Sequence, residues 1–235
     1  MQLFYNTSIR TTSKDITFDK DESRHIGKVL RKQIGDILYI TDGIGNFYEI
    51  VLENSNPKRC SGKIINVIPQ EPMSYSLHLA VAPTKLNDRY EWFLEKATEI
   101  GVTEITPIIC NHSERKIIKP ERYEKIISSA AKQSQKAFFP ILNKATSFDQ
   151  FIENNKNTNA TKFIAHCEDS KKHSLKSKIE GHQQFIILIG PEGDFSSKEI
   201  EIALTNNFEP ITLGASRLRT ETAAIVACHS IYFYK

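Results

Sequence analysis

The segment Phe185-Ile186-Ile187-Leu188-Ile189-Gly190-Pro191-Glu192-Gly193-Asp194-Phe195 decides the fold. Five consecutive apolar residues read as a buried strand, and Gly190 with Pro191 forces the chain to turn sharply at its end. The design returns further on: Ile211–Leu213 is followed by Gly214-Ala215-Ser216-Arg217-Leu218-Arg219-Thr220-Glu221-Thr222-Ala223-Ala224. Each loop then runs into a helix-like pattern. Loops at the carboxyl ends of strands are where open α/β sheets bind ligands, so two of them make a small-molecule site.

Outward from this pair the same alternation holds back to Ser76. Leu77–Ala82, Thr106–Cys110 and Phe163–Cys167 read as further strands, and Asp88–Ile100, Glu121–Lys136, Ser197–Asn206 and Glu221–Tyr232 as helices. Such alternation predicts an α/β domain, its mainly parallel sheet covered on both faces. Ser196-x-x-Glu199 forms a capping box, Gly101 sits where a C-terminal cap belongs, and Pro120 suits a first helical turn. Glu153–Thr161 and Glu168–Gln184 are polar and read as containing loops.

Before Ser76 the pattern is mostly β. Gln2–Tyr5, Ile37–Thr41, Phe47–Glu53 and Lys58–Ile68 are strand candidates, and Asp21–Leu30 is one helix with Ile26, Val29 and Leu30 on a shared face. A small β-barrel with one helix is the economical reading. Pro69-Gln70-Glu71-Pro72 is linker-like, which divides the chain into residues 1–70 and 71–235.

Charge is nearly balanced, 31 basic residues against 28 acidic, so composition alone does not indicate nucleic acid. Its distribution does. From Arg115 to Lys144 eight basic residues face only Glu121 and Glu124, a local balance of +6 that attracts phosphate. On a wheel of about 100° per residue, Arg122, Lys125, Lys132 and Lys136 fall within an arc of about 80°, opposite Tyr123, Ile127 and Ala130. A solvated helix face is the plain alternative. The four cysteines lie scattered without metal-ligand spacing, as free thiols in a reducing compartment, and no metal site is expected. No signal peptide or apolar run of spanning length is present, so a cytoplasmic protein is expected.

These loops resemble the cofactor loops of the SPOUT methyltransferases, and more narrowly the family that methylates N3 of a uridine in 16S ribosomal RNA. The resemblance covers nearly the whole chain: His25-x-x-x-Val29-Leu30-Arg31-x-x-x-Gly35-Asp36, then Lys85 and Glu91 leading into Phe93–Val102, then Gln133-Ser134 with Pro140. It implies a deep trefoil knot in the C-terminal domain, a PUA-like RNA-binding barrel before it, a homodimer, and 16S rRNA in the assembled small subunit as substrate. The implied cofactor is S-adenosylmethionine. Its implied contacts are Leu188, Ile189, Gly190, Pro191, Glu192 and Gly193 in the first loop, and Leu213, Gly214, Leu218, Arg219, Thr220, Thr222 and Ala223 in the second.

Glu192 either orients its loop through backbone N–H groups or touches the ligand. Asp194 stands where the family usually has another Gly, and a left-handed turn tolerates Asp better than most residues. Thr220-Glu221-Thr222 reads as a helix start, with a hydroxyl cap and a first-turn carboxylate. Two arginines, Arg217 and Arg219, are a poor choice for structure alone. N3 of uracil is a weak acid whose anion spreads charge onto O2 and O4, which a guanidinium would stabilise. Arg219 is the candidate for that role and Glu221 a candidate base. His25, Arg31, Arg115, Arg122, Lys132 and Lys136 are the candidate RNA contacts, although the family tends to have an acid at 132 and Arg at 136. The alternatives are a SPOUT enzyme acting on another RNA or a ribose 2′-hydroxyl, and a non-catalytic RNA-binding protein. A nucleotide-binding enzyme is disfavoured, since no G-x-x-x-x-G-K-[ST] and no G-x-G-x-x-G after a strand occur.

Overall fold

A computed structural model of the chain describes residues 2–235. Two compact units result: one runs to Pro72 and adds Ser128–Phe139, the other comprises Met73–Ile127 and Pro140–Lys235. A single cut near residue 70, expected from the prolines, does not anticipate the inserted segment.

In the first unit the elements are β1 (Leu3–Tyr5), β2 (Asp15–Thr17), α1 (Lys20–Arg24), β3 (Ile37–Thr41), β4 (Asn46–Asn54) and β5 (Ser61–Pro69). They form one sheet in the order β1-β3-β4-β5-β2, with β1 parallel to β3 and the remaining pairs antiparallel. Alternate residues of β4, Tyr48, Ile50 and Leu52, enter the core with Phe4, Phe18, Leu38 and Ile40. The inserted segment pairs with the β3–β4 turn: Gly45 N–H donates to Ala137 O (3.0 Å) and Phe139 N–H to Gly43 O (2.9 Å).

One expectation fails here. Helix α1 gives way to a π-helical turn over His25–Val29, with Leu30 N–H donating to His25 O at 2.9 Å. Bonding to the fifth residue widens the turn, so three positions on from Ile26 no longer means the same face. Ile26 is fully buried, whereas Val29 is 63% exposed.

The second unit contains β6 (Ser76–Val81), α2 (Asn87–Ile100), β7 (Glu104–Ile109), α3 (Pro120–Gln133), β8 (Ile141–Leu142), β9 (Thr146–Ser147), α4 (Phe148–Asn155), β10 (Thr161–Ala165), β11 (His173–Ser174), β12 (Gln184–Ile189), α5 (Ser197–Thr205), β13 (Glu209–Thr212) and α6 (Thr220–Tyr234). The last six residues of α3 belong to the first unit. The sheet order is β11-β13-β10-β12-β6-β7-β8, with β9 also on β7, and every pairing is parallel. Its central strands β6, β7, β10 and β12 are therefore buried on both faces. Leu77, Leu79, Val81, Phe185, Ile187 and Ile189 pack against α2 and α6; Ala80, Ile164, Ile186 and Leu188 pack against α4 and α5. Each such large side chain contributes about 1.5–3 kcal/mol by leaving water.

The cap signals work as read. Ser196 and Glu199 make the reciprocal capping box, Gly101 closes α2 with φ 131°, and Pro120 opens α3. Helix α4 has no counterpart in the sequence reading, although Ser147 caps it and Phe148, Phe151 and Ile152 supply its buried stripe.

Candidate functional site

A cavity of about 760 Å³ opens where β10, β12 and β13 end. Three loops line it. From β12 come Ile189, Gly190, Pro191, Glu192 and Asp194; from β13 come Leu213, Gly214, Arg217, Leu218, Arg219, Thr220 and Ala223, with Ala215 and Ser216 between. The third loop, Ala165-His166-Cys167 with Lys172, follows β10.

Local chemistry fixes the β12 loop. A Cβ on Gly190 would stand 3.1 Å from the Phe195 ring, so a larger residue would press that ring outward from the turn. Lys85 N–H donates to Glu192 Oε1 at 2.9 Å, which makes the Glu192 carboxylate a brace between this loop and the one after β6. Asp194 adopts φ 64°, and its carboxylate accepts from Phe195 N–H (2.9 Å) and Cys167 N–H (2.6 Å). A glycine here would keep the turn but not the crosslink to the third loop. His112 Nδ1 lies 3.1 Å from both Gly193 O and Asp194 O; two carbonyl partners require Nδ1 to carry the proton.

The β13 loop turns at Gly214, whose φ of 140° suits no L side chain. Thr220 does not cap its helix as expected. Arg219 occupies the cap position without a side-chain bond, and the buried Thr220 hydroxyl donates to Gly190 O at 3.0 Å. That bond ties the start of α6 to the β12 loop.

Not every expected contact reaches the cavity. Leu188 points into the core beside α4 and α5, because the strand alternation that brings Ile189 to the cleft turns Leu188 away. Gly193 faces His112, and Thr222 lies outside the lining. Glu221 is 7% exposed and faces α2 instead: its Oε1 stands 3.9 Å from Arg89 Nε, and its buried Oε2 has no partner. Arg219 is exposed on the cavity wall.

The third loop was missed. The sequence places the strand end at Cys167, whereas β10 stops at Ala165 and releases His166 and Cys167 into the site. The carboxyl-end rule that found the other two loops would have found it with the strand ended two residues earlier.

The RNA candidates fare unevenly. Arg115 is spent on the backbone, donating to Thr84 O (3.1 Å) and Lys85 O (2.9 Å). Arg122 forms a two-pronged pair with Glu91, at 2.5 and 2.7 Å. Lys132 pairs with Glu22 at 3.1 Å. His25 lies 2.7 Å from Gln2 Nε2 and, with Lys132 and Gln133, lines a shallower groove of the first unit. Arg31 is exposed with φ 54°, and Lys136 is half-buried beyond the end of α3. Among the described residues no group of three His, Cys, Asp or Glu side chains is placed to hold a metal ion, and no helix is long and apolar enough to cross a membrane.

Comparison with known proteins places this geometry. A family model described as an RNA methyltransferase domain matches residues 70–232, and one described as an RNA methyltransferase PUA domain matches 18–65. A PUA-like curled sheet joined to a parallel α/β domain with a strand-end cleft is the build of the RNA methyltransferase class. A ribosomal RNA small subunit methyltransferase E from Buchnera aphidicola (subsp. Acyrthosiphon pisum) is 32% identical, across 89% of this chain and 85% of its own. That of Rickettsia conorii is 27% identical across 96% and 92%. The crystal structure of a probable rRNA-methyltransferase from Porphyromonas gingivalis superposes with a TM-score of 0.88, at 40% identity and full coverage of both chains. A putative methyltransferase from Legionella pneumophila, solved with the bound cofactor SAM, gives 0.86 at 28% identity, across 99% of this chain and 97% of that one. The chain belongs to the ribosomal RNA small subunit methyltransferase E family.

Proposed function

We propose that this protein transfers a methyl group from S-adenosylmethionine to N3 of a uridine in 16S ribosomal RNA. The observation that carries the reading is the cleft itself, three loops converging at the ends of β10, β12 and β13 on one cavity of about 760 Å³. Its size falls within the roughly 300–1,000 Å³ of small-molecule sites. Ile189, Ile211, Leu213, Leu218 and Ala223 offer apolar wall for an adenine, and Gly190 and Gly214 admit close approach of backbone groups. His166, on the third loop, brings two buried ring nitrogens that have no partner among the described residues.

When bound, the cofactor supplies an electrophilic methyl group on a sulfonium. What the acceptor requires must come from the chain. Arg219, exposed at the cleft wall, is the group that can stabilise charge developing on uracil O2 or O4, and so favour the N3 anion. Glu221 has no part as a base in this reading: it is buried away from the lining and faces Arg89. Positioning of the base by the loops supplies much of the remainder.

The surrounding assignments belong to the same proposal. Exposed Lys116, Lys119 and Lys125 supply attraction to phosphate, while Arg122 and Arg115 hold structure. Helix α6 is apolar nearly all round and ends in exposed Tyr232, Phe233 and Tyr234, the last two 69% and 42% exposed, a surface that a second copy in a homodimer would cover. A knotted course of the C-terminal segment belongs to the same reading, and within it the Thr220 to Gly190 bond holds the start of α6 against the β12 loop. Action on the assembled small subunit, in the cytoplasm, completes the reading.

Calorimetric titration with S-adenosylmethionine, followed by transfer of a labelled methyl group to small subunits and to naked 16S RNA in parallel, tests it. Binding with label only in the subunits supports the reading. Absence of cofactor binding would favour a non-catalytic RNA-binding protein.

A further inference from the structure

His166 is the one histidine whose two ring nitrogens are both buried and without a partner among the described residues. It is 8% exposed and lines the cavity on the third loop. A neutral imidazole always carries one donor and one acceptor, and leaving either unpaired in a buried place is unfavourable. A structural histidine would have closed at least one of these bonds on a backbone carbonyl, as His112 does. His166 closes neither among the described residues, although its residue lines the cavity.

We propose that His166 is the charge sensor of this cleft: its neutral ring binds the adenosyl ligand, and its protonated ring rejects the cationic sulfonium more strongly than the neutral thioether left after methyl transfer. The proposal rests on the reading of the cleft as an S-adenosylmethionine site. The two ligands differ by one methyl group and one positive charge, so a titrating group in the wall distinguishes them mainly through that charge.

The setting of the ring favours such a switch. Burial holds His166 below its ordinary pKa, with Lys172 pushing the same way, while Asp194 and Glu168 oppose them. Glu168 and Lys172 come from its own loop, and Asp194 from the β12 loop. Arg217, which acts on neighbouring Cys167, and Arg219 come from the β13 loop, and Glu192 lines the cavity from the β12 loop. At neutral pH the ring is therefore uncharged, and a cationic ligand meets no opposing imidazolium. As pH falls through the lowered pKa the ring gains charge, and affinity for the sulfonium falls first.

The test is calorimetric titration of the full chain with S-adenosylmethionine and with S-adenosylhomocysteine, between about pH 7 and about pH 5, where histidine titrates. The S-adenosylmethionine dissociation constant divided by that of S-adenosylhomocysteine should rise about threefold or more on acidification, because an added positive charge in the wall disfavours the cation more than the neutral thioether. His166→Gln and His166→Asn keep a polar side chain that does not titrate, and each should flatten the ratio. A flat ratio in the natural protein overturns the proposal, and so does the same rise persisting in both variants. If neither ligand binds at any pH, the cofactor reading fails and this proposal with it, a result distinct from binding that ignores pH.

Discussion

The carboxylate of Asp194 accepts a hydrogen bond from the backbone N–H of Cys167 at 2.6 Å, and so joins the loop after β12 to the loop after β10. Asp194 therefore does two things at one position. It takes the left-handed turn, at φ 64°, and it fixes the neighbouring loop that presents His166. A glycine here would take the same turn without the crosslink.

Replacing Asp194 with Ala should weaken S-adenosylmethionine binding by about tenfold, since a hydrogen bond to a charged group is worth about 1.5–3 kcal/mol and the left-handed turn is also disfavoured. Asp194→Asn keeps an acceptor and the turn, and should lose less than about threefold. Calorimetry reads both. Equal losses in the two variants would show that the crosslink is not what matters.

Glu192 braces the loop through Lys85 N–H, so its acceptor oxygen is the useful part, not its charge. Glu192→Gln should leave thermal stability and cofactor affinity nearly unchanged. Glu192→Ala should cost about 1 kcal/mol, lowering the melting temperature by about 2–4 °C. Loss of affinity in the Gln variant as large as in the Ala variant would mean the charge touches the ligand.

How much of this was legible in the sequence follows from the range of the interactions. The strand Gln184–Ile189, its glycine turn and the Ser196–Glu199 capping box are local, and their residue types announce them. The π-helical turn at His25–Val29 leaves no such mark, because nothing in those residue types announces bonding to the fifth residue. Helix α4 was legible in Phe148, Phe151 and Ile152, but the Asn-rich stretch after it masked the signal. Pairing of Ala137–Phe139 with the Gly43–Gly45 turn joins segments far apart in the chain, and no local pattern encodes it. The same holds for the pairing of Arg122, a candidate RNA contact, with Glu91.

Arg219 is exposed at the cleft wall and makes no side-chain cap on α6, so it is available to the reacting base. Arg219→Ala should lower kcat by about 10²-fold or more, as removal of a charge-stabilising donor does, with little change in affinity for S-adenosylmethionine. Parallel single-turnover rates and calorimetry separate the two. A matching fall in affinity would reassign Arg219 to cofactor binding.

For the RNA surface, exposed lysines and paired arginines should behave differently. Combined Lys116→Ala, Lys119→Ala and Lys125→Ala should reduce the slope of log affinity against log salt by about 2, near 0.7 to 0.9 per lost phosphate contact. Arg122→Ala should change the slope less than Lys125→Ala alone, because Glu91 already holds its guanidinium. Binding titrations at several salt concentrations check this, and equal slopes for the two single variants would place Arg122 on the RNA.

The most direct measurement is nucleoside mass spectrometry of 16S RNA from small subunits that lack the modification, after incubation with this protein and S-adenosylmethionine. N3-methyluridine in 16S RNA from treated subunits is the expected result, formed about 10²-fold more slowly when Arg219→Ala protein replaces the natural chain. Methyl groups found on a ribose 2′-hydroxyl or on another base, with no N3-methyluridine formed, would contradict it.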